Sequence, residues 1–344
     1  INGIYLICNG EIYNWKQLYK MMNIKPTTKS DCEVIIHLYL KYGIKQTLNM
    51  LDGVFAFVLY DTNNNLIYIS RDIYGIRPLF IKKIISYYTQ NNISHPVYLF
   101  SSELKTIVNI KNDNIQFQKI KQFSPGNYAM LTFDNGIFEK TYEKSYYTPS
   151  LLPSSFSTQI TKNDIANACK SIKETLIKAV LKRIDNTDRE VACLLSGGLD
   201  SSLIAALVQR YSKKKISTWS IGMPGSEDIK YARIVAEHIG SEHHEIILSE
   251  EEFLSNIETV IYSIESYDTT TVRASIANWL ISKKIKELSN CKVVFNGDGS
   301  DEVCGGYMYF HLAPDSIEFD KECKRLLNDI HYFDVLRSDR SISV

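Results

Sequence analysis

No apolar run in this chain approaches the roughly 20 residues that a membrane-spanning helix needs, so a membrane partner is not expected. Neither sign of charge prevails, with 39 Lys and Arg against 39 Asp and Glu. A balanced chain has no broad field with which to draw nucleic acid or an anionic surface, and neither is expected as a partner. The seven cysteines (Cys8, Cys32, Cys169, Cys193, Cys291, Cys304 and Cys323) are odd in number and contain no Cys-x-x-Cys. That disfavours disulfides and thiolate zinc sites, and predicts free thiols in a reducing, cytoplasmic setting. A basic leader is also missing at Ile1-Asn2-Gly3, and without a Met this is not expected to be the native first residue.

The stretch Ser196-Gly197-Gly198-Leu199-Asp200-Ser201-Ser202 lacks the Lys-[Ser/Thr] that closes the common nucleotide P-loop, yet it has a phosphate loop's surroundings. Val191-Ala192-Cys193-Leu194-Leu195 before it predicts a buried strand, and residues 203–208 predict the apolar start of a helix. Strand, glycine turn and helix make an anion site. Glycine lets the backbone close on the ligand, and the first N–H groups of the helix point at it. Ser196, Ser201 and Ser202 add hydroxyl donors. The pattern suits a pyrophosphate loop of enzymes that cleave ATP between its α and β phosphates and adenylate a substrate. A tight serine-rich turn is the alternative.

Length alone suggests two domains. In the first half a strand is predicted over 5–8, with 9–14 turning off its end. Helical spacing follows over 15–22 and 32–42, the second closed by Gly43. Strand-like runs over 54–60, 66–70, 78–81, 97–101, 127–133 and 137–142 are grouped, which predicts an α+β domain with a largely antiparallel sheet. Residues 84–96 read as a surface insertion and 145–160 as a linker. An amphipathic helix over 162–184 then opens a half in which strands (191–195, 216–221, 245–248, 292–295) alternate with helices. Ser249-Glu250-Glu251-Glu252 reads as a capping box. Repeated βα units predict a doubly wound α/β parallel sheet whose ligands bind beyond the strands' carboxyl ends. Ser196, Gly222 and Gly297 each follow a strand there.

Asn9-Gly10 can be an oxyanion hole or a simple turn. Asp31 can bind a substrate or cap the helix that follows it. In Asn296-Gly297-Asp298-Gly299-Ser300-Asp301-Glu302 the calcium-loop spacing is missing. Opposite a phosphate loop, Asp200 and Asp301 are the candidate Mg²⁺ ligands, with an N-cap role the alternative for Asp301. Around Glu265 to Ser275, hydroxyls and the lone Arg273 suit a dicarboxylate, which the guanidinium fork reads bidentately. Capping by Thr271 is the alternative, and it leaves Arg273 unexplained.

In order, Asn9-Gly10-Glu11-Ile12-Tyr13-Asn14, Ser30-Asp31-Cys32-Glu33, residues 51–57, Arg71-Asp72-Ile73-Tyr74-Gly75-Ile76-Arg77-Pro78-Leu79 and Phe100-Ser101-Ser102-Glu103 resemble the glutaminase domain of N-terminal-nucleophile amidotransferases. Residues 196–202, 219–240, 262–275, 293–314 and 333–341 resemble the synthetase domain of the glutamine-hydrolysing asparagine synthetases. The resemblance implies formation of β-aspartyl-AMP from aspartate and MgATP, and its amidation by ammonia released from glutamine. It implies Asn9 and Gly10 as the oxyanion hole, with Glu11 and Asp31 at the amino-acid end of glutamine. Residues 196–202 would cradle pyrophosphate; Leu195, Ser196, Ile221, Gly222, Gly297 and Asp298 would line the ATP site. Thr270, Thr271 and Arg273 would act around the aspartyl intermediate. A homodimer is the expected assembly.

Asp298 stands where the family usually has Glu, one methylene longer. The family's nucleophilic Cys and carboxylate-clamping Arg are expected before Asn9, and its distal Lys after Val344, so the chain reads as a fragment. Cys8, inside an apolar strand, reads as a packed thiol. A β-lactam-forming synthetase and an inactive or split-gene remnant are the rival readings; the Asn9-Gly10-Glu11 and Asp31 set argues against the first.

Overall fold

The computed structural model describes residues 1–88, 93–108, 110, 119–134, 137–147 and 160–335. The chain divides into two compact units, Ile1–Ser150 and Leu151–Val344. In the first unit the elements are β1 (Ile4–Ile12), α1 (Trp15–Met22), α2 (Val34–Met50), β2 (Gly53–Asp61), β3 (Leu66–Arg71), β4 (Phe80–Tyr88), β5 (Ile93–Ser101), α3 (Lys105–Val108), β6 (Lys121–Gln122), β7 (Asn127–Asp134) and β8 (Ile137–Ser145). They form two antiparallel sheets, ordered β1-β2-β3-β7-β8 and β5-β4-β6.

Strand alternation builds the layers. Phe55, Phe57 and Leu59 of β2 turn toward α1 and α2, sharing a core with Leu18, Val34 and Leu38. Ala56 and Val58 turn the other way and meet Leu79, Tyr98 and Phe123 beside the smaller sheet. This is the α+β class read from the sequence, with a second sheet that was not expected.

Several local expectations change. β1 does not turn at Asn9: its pairing continues through Asn9↔Ala56 and Gly10↔Phe55 to Ile12↔Gly53. Gly43, at φ +73°, interrupts α2 without ending it, and helix resumes as far as Met50. Residues 84–96 carry the outer part of the β4–β5 hairpin, paired out to Tyr88↔Ile93, with 89–92 outside the described residues. The expected linker falls mostly on 148–159, also outside them.

The second unit comprises α4 (Lys162–Asn186), β9 (Val191–Leu194), α5 (Leu199–Tyr211), β10 (Ser217–Gly222), α6 (Glu227–Ile239), β11 (Glu242–Ile247), α7 (Glu250–Leu254), α8 (Ile257–Ile264), α9 (Thr269–Leu288), β12 (Val293–Phe295), α10 (Ser300–Cys304) and α11 (Ser316–Val335). Its four strands are parallel, in the order β11-β10-β9-β12. Cys193 and Phe295 face Val180, Val208 and Ala232 of α4, α5 and α6. Ala192 and Trp219 face Ile281 and Ile285 of α9. The sheet is thus doubly wound, as its βα rhythm predicts.

Only the C-terminal part of α4 buries an apolar stripe. Val180 is in the core, whereas Ile165 and Ile172 are 55% and 66% exposed. The capping box at Ser249 forms, with the Glu252 N–H donating to Ser249 Oγ and the Ser249 N–H to Glu252 Oε2. The helix it opens breaks at Ser255–Asn256 into α7 and α8, and still brings Val260 inward.

Candidate active sites

In the second unit the chain leaves β9 for β10 on one side, while β12 lies on β9's other side. A strand order that reverses in this way leaves a crevice beyond the carboxyl ends at the reversal, here between β9 and β12. The loops that follow these two strands are 195–198 and 296–299. Ile221 and Gly222 end the adjacent β10, with Gly222 O accepting the Leu248 N–H at 3.0 Å.

Leu195 is buried and donates its N–H to Trp219 O at 2.8 Å, which keeps the chain on the sheet up to the loop. Gly197 then takes φ +82°, and a Cβ there would stand 2.5 Å from Tyr231 Cβ and 2.6 Å from Ala232 N of α6. Only glycine tolerates both the left-handed backbone and that approach. The loop is tied by its own hydroxyls. Ser196 Oγ lies 3.0 Å from Ser201 Oγ and accepts the Gly198 N–H at 3.3 Å. Gly198 is the N-cap of α5, and no side chain caps that helix. Ser202 Oγ is buried without a hydrogen-bond partner. An uncapped helix start and an orphaned hydroxyl at one loop suit an anionic ligand.

From the β12 side, Gly297 presses on this loop: a Cβ there would stand 2.9 Å from Ser201 N and 3.0 Å from Asp200 Cβ. Gly299, in the left-handed region, is the N-cap of α10. Asp301 therefore sits inside the helix's first turn, and its N-cap alternative fails. Burial, then the charges of Asp200 and Glu302, push the Asp301 carboxyl up. Two carboxylates that repel one another beside the glycine loop fit Mg²⁺, an ion that takes one or two protein carboxylates and fills its remaining positions with other oxygens. Among the described residues no larger metal-holding cluster exists. Asp298 is exposed and accepts from Asn296 Nδ2 at 3.1 Å.

At the start of α9 the capping residue is Asp268, not Thr271. Asp268 Oδ2 accepts the Thr271 N–H at 2.8 Å and the Thr271 hydroxyl at 2.9 Å. Thr271 is buried, while Thr270 and Arg273 are exposed.

In the first unit the amides of β1 alternate. The Ile4 N–H donates to Ile1 O (2.8 Å) and the Ile12 N–H to Asp31 Oδ2 (2.5 Å), so even-numbered residues turn their amides away from β2. The Gly10 N–H therefore points off the sheet's edge, while Gly10 O takes Cys32 Sγ at 3.5 Å. No side chain fits at position 10, since a Cβ would stand 2.4 Å from Val54 O. Asn9 and Glu11 share the other face, with Asn9 Nδ2 donating to Ser102 Oγ at 3.1 Å. Asp31 opens a 3-10 turn whose N-cap is Ser30, so its carboxylate is directed at β1 and not at its own helix. Cys8 packs against the helical core, and its hydrogen bond with Cys32, followed by burial, pushes the Cys32 thiol far up. A packed thiol is the role read from the sequence.

Residues 2–143 match the glutamine amidotransferase domain model and residues 171–341 the asparagine synthase model. The chain thus carries a glutamine amidotransferase domain followed by an asparagine synthase domain. It is 41% identical over 356 residues to the asparagine synthetase [glutamine-hydrolyzing] of Gallus gallus, and 41% and 42% identical over 350 residues to those of Homo sapiens and Bos taurus. These alignments take in 98% of the chain, which spans 60% of the length of each relative. No helix among the described residues is long and apolar enough to cross a membrane.

Some residues shaping these candidate sites had no role in the sequence reading. Ser102, Asp72 and Asp268 each sat in a quoted stretch, but only the fold shows what they hold. Asp72, 1% exposed, accepts the N–H groups of Phe55 (3.2 Å), Tyr74 (3.1 Å), Ile76 (2.9 Å) and Arg77 (3.0 Å), fastening the 72–77 loop to the residue opposite Gly10.

Proposed function

We propose that the protein amidates aspartate to asparagine through β-aspartyl-AMP, using ATP and nitrogen from glutamine, and releasing AMP and pyrophosphate. The observation carrying this is the lysine-free glycine loop at the β9/β12 reversal, pressed by Gly297 and left with an uncapped helix start. Residues Ser196, Gly197, Gly198, Leu199, Asp200, Ser201 and Ser202 grip the β and γ phosphates as the leaving group. Leu195, Ile221, Gly222, Gly297 and Asp298 line the adenylate. Asp200 and Asp301 would hold Mg²⁺, which when bound neutralises phosphate charge. Arg273, exposed at the start of α9, reads a carboxylate of aspartate, and Thr270 offers its hydroxyl beside it. Thr271, whose own hydroxyl is taken by Asp268, keeps that turn in place.

In the first unit, the Gly10 N–H and the Asn9 amide stabilise the oxyanion formed on the glutamine carboxamide. Glu11 and Asp31 hold its α-amino end. A homodimer and a cytoplasmic setting belong to the same reading. The test is product analysis: aspartate-dependent turnover of ATP yields AMP and pyrophosphate, and ADP as the aspartate-dependent product overturns the assignment.

A further inference from the structure

Glu33 is 5% exposed, yet the groups it holds belong to an exposed loop. Its Oε1 accepts the Thr27 N–H at 2.7 Å and the Thr27 hydroxyl at 2.8 Å, and lies 3.0 Å from His37 Nε2; its Oε2 accepts the Thr28 N–H at 2.5 Å. A buried carboxylate is costly unless it is this fully bonded. Burial pushes the Glu33 carboxyl up, but the bonds from Thr28, Thr27 and His37 outweigh it and hold the group well below the usual carboxylate range. The chain is then relayed onward. Thr28 Oγ1 accepts the Ser30 N–H at 3.1 Å, and the Glu33 N–H returns to Ser30 O at 3.3 Å. The next residue is Asp31, whose Oδ2 docks on the Ile12 N–H at the β1 edge, two residues from Gly10.

We propose that Glu33 is a positioning residue for glutamine: it locks the 27–30 segment so that the second oxygen of Asp31 is presented, already oriented, to the substrate's ammonium group. A carboxylate pre-set in this way loses less entropy on binding than one on a free loop. The inference rests on the reading above that Gly10 and Asp31 border the glutamine site, and it names the group that gives that site its shape.

The test is titration calorimetry of the full chain with glutamine, comparing wild type with Glu33→Gln, Thr27→Val and Asp31→Asn. Glutamine in place of Glu33 sets an amide NH₂ against the Thr27 or Thr28 N–H groups and breaks the cradle. Its dissociation constant for glutamine is expected to rise about tenfold with unchanged stoichiometry. Thr27→Val removes one bond of the set at an exposed position, keeps the fold, and is expected to weaken binding about two- to threefold. A merely structural role would instead lower the stoichiometry, as the fraction of folded protein drops, at constant affinity; that result overturns the proposal. So does unchanged affinity in both Glu33→Gln and Thr27→Val while Asp31→Asn binds weakly. If wild type binds no glutamine, or Asp31→Asn binds as wild type does, the glutamine-site reading itself has failed.

Discussion

In the first unit Glu33, Asp61, Arg71, Asp72 and Lys82 all lie at or below 5% exposure; in the second, among the described residues, Glu302 at 6% is the one carboxylate buried to a similar depth. The loops around Gly10 and Asp31 are held by charges that collect several backbone groups each. Arg71, for instance, donates to the carbonyls of Arg77, Phe123 and Gly75 at 2.7, 2.8 and 2.6 Å. The loop of 196–202 is held by close backbone approach at Gly197 and Gly297 and by the hydroxyl bonds of Ser196. The two means fail differently. Removing a buried charge orphans every group it served, whereas adding a methyl at a glycine forces two pieces of backbone apart.

The largest expected effect is in the first unit. Asp72→Ala leaves four buried or half-buried N–H groups without an acceptor and is expected to cost about 3–5 kcal/mol. Burial holds the Asp72 carboxyl above its ordinary value despite these bonds, with Arg77, Ile76, Arg71 and Tyr74 opposing the rise. Hydrogen exchange read by mass spectrometry is expected to show protection lost across β1–β3 and retained across β9, β10 and β12. Equal loss in both units would erase the distinction between them.

That contrast also decides what could be read in advance. The doubly wound half announces itself because each βα unit is contiguous: apolar strand, glycine turn and apolar helix lie within about 20 residues, the scale of one such unit. Its strand–glycine loop–helix at 191–211 was legible for the same reason. In the first unit the partners are distant in sequence: Ile12 with Asp31, Asn9 with Ser102, and Asp72 with Phe55. No periodicity encodes such pairs. Asn9-Gly10 reads locally as a turn, and becomes strand only because β2 lies close enough to exclude a side chain at Gly10. The stripe of α4 misleads in the other direction, since 3.6-residue spacing is present at Ile165 and Ile172 while no described residue covers them. Capping by Thr271 and by Asp301 stood as alternatives that composition could not exclude; the caps are Asp268 and Gly299, three and two residues earlier.

A smaller effect is expected from Gly197→Ala in the second unit. The left-handed backbone costs an alanine roughly 1–2 kcal/mol, and the 2.5 Å approach to Tyr231 must open as well. Part of that strain is relieved by moving the loop away from α6, which takes the first N–H groups of α5, proposed above to bind the anion, with it. Formation of AMP is therefore expected to fall at least tenfold, by about the 1.4 kcal/mol that one decade represents, while glutamine affinity is unchanged. An alanine variant that keeps full AMP formation would mean that the loop's closeness to α6 is incidental.

The smallest effect concerns the titratable group that the second unit does bury among hydroxyls. His243 has its side chain 11% exposed, with Nδ1 3.0 Å from Thr218 Oγ1 and Nε2 3.2 Å from Ser220 Oγ. Burial lowers its pKa first. Glu245, 3.9 Å away, and a backbone bond from Thr218 act upward, while His244 and Arg233 act downward, and the net shift is down. Glu245 is the largest upward influence but does not overcome burial, and its two oxygens are shared with Arg233 at 2.7 and 2.8 Å. The folded state therefore prefers the neutral imidazole more than the unfolded chain does. Stability from this preference is present above the unfolded value of about 6.5 and is lost as pH falls below it, because the unfolded state then binds the extra proton. Melting temperatures at pH 8 and pH 5.5 isolate the effect when wild type is compared with His243→Gln, which keeps a hydrogen-bonding side chain that does not titrate. Wild type is expected to lose more on acidification than the variant, by a few degrees at most. Equal losses would place the acid sensitivity among the buried carboxylates of the first unit instead.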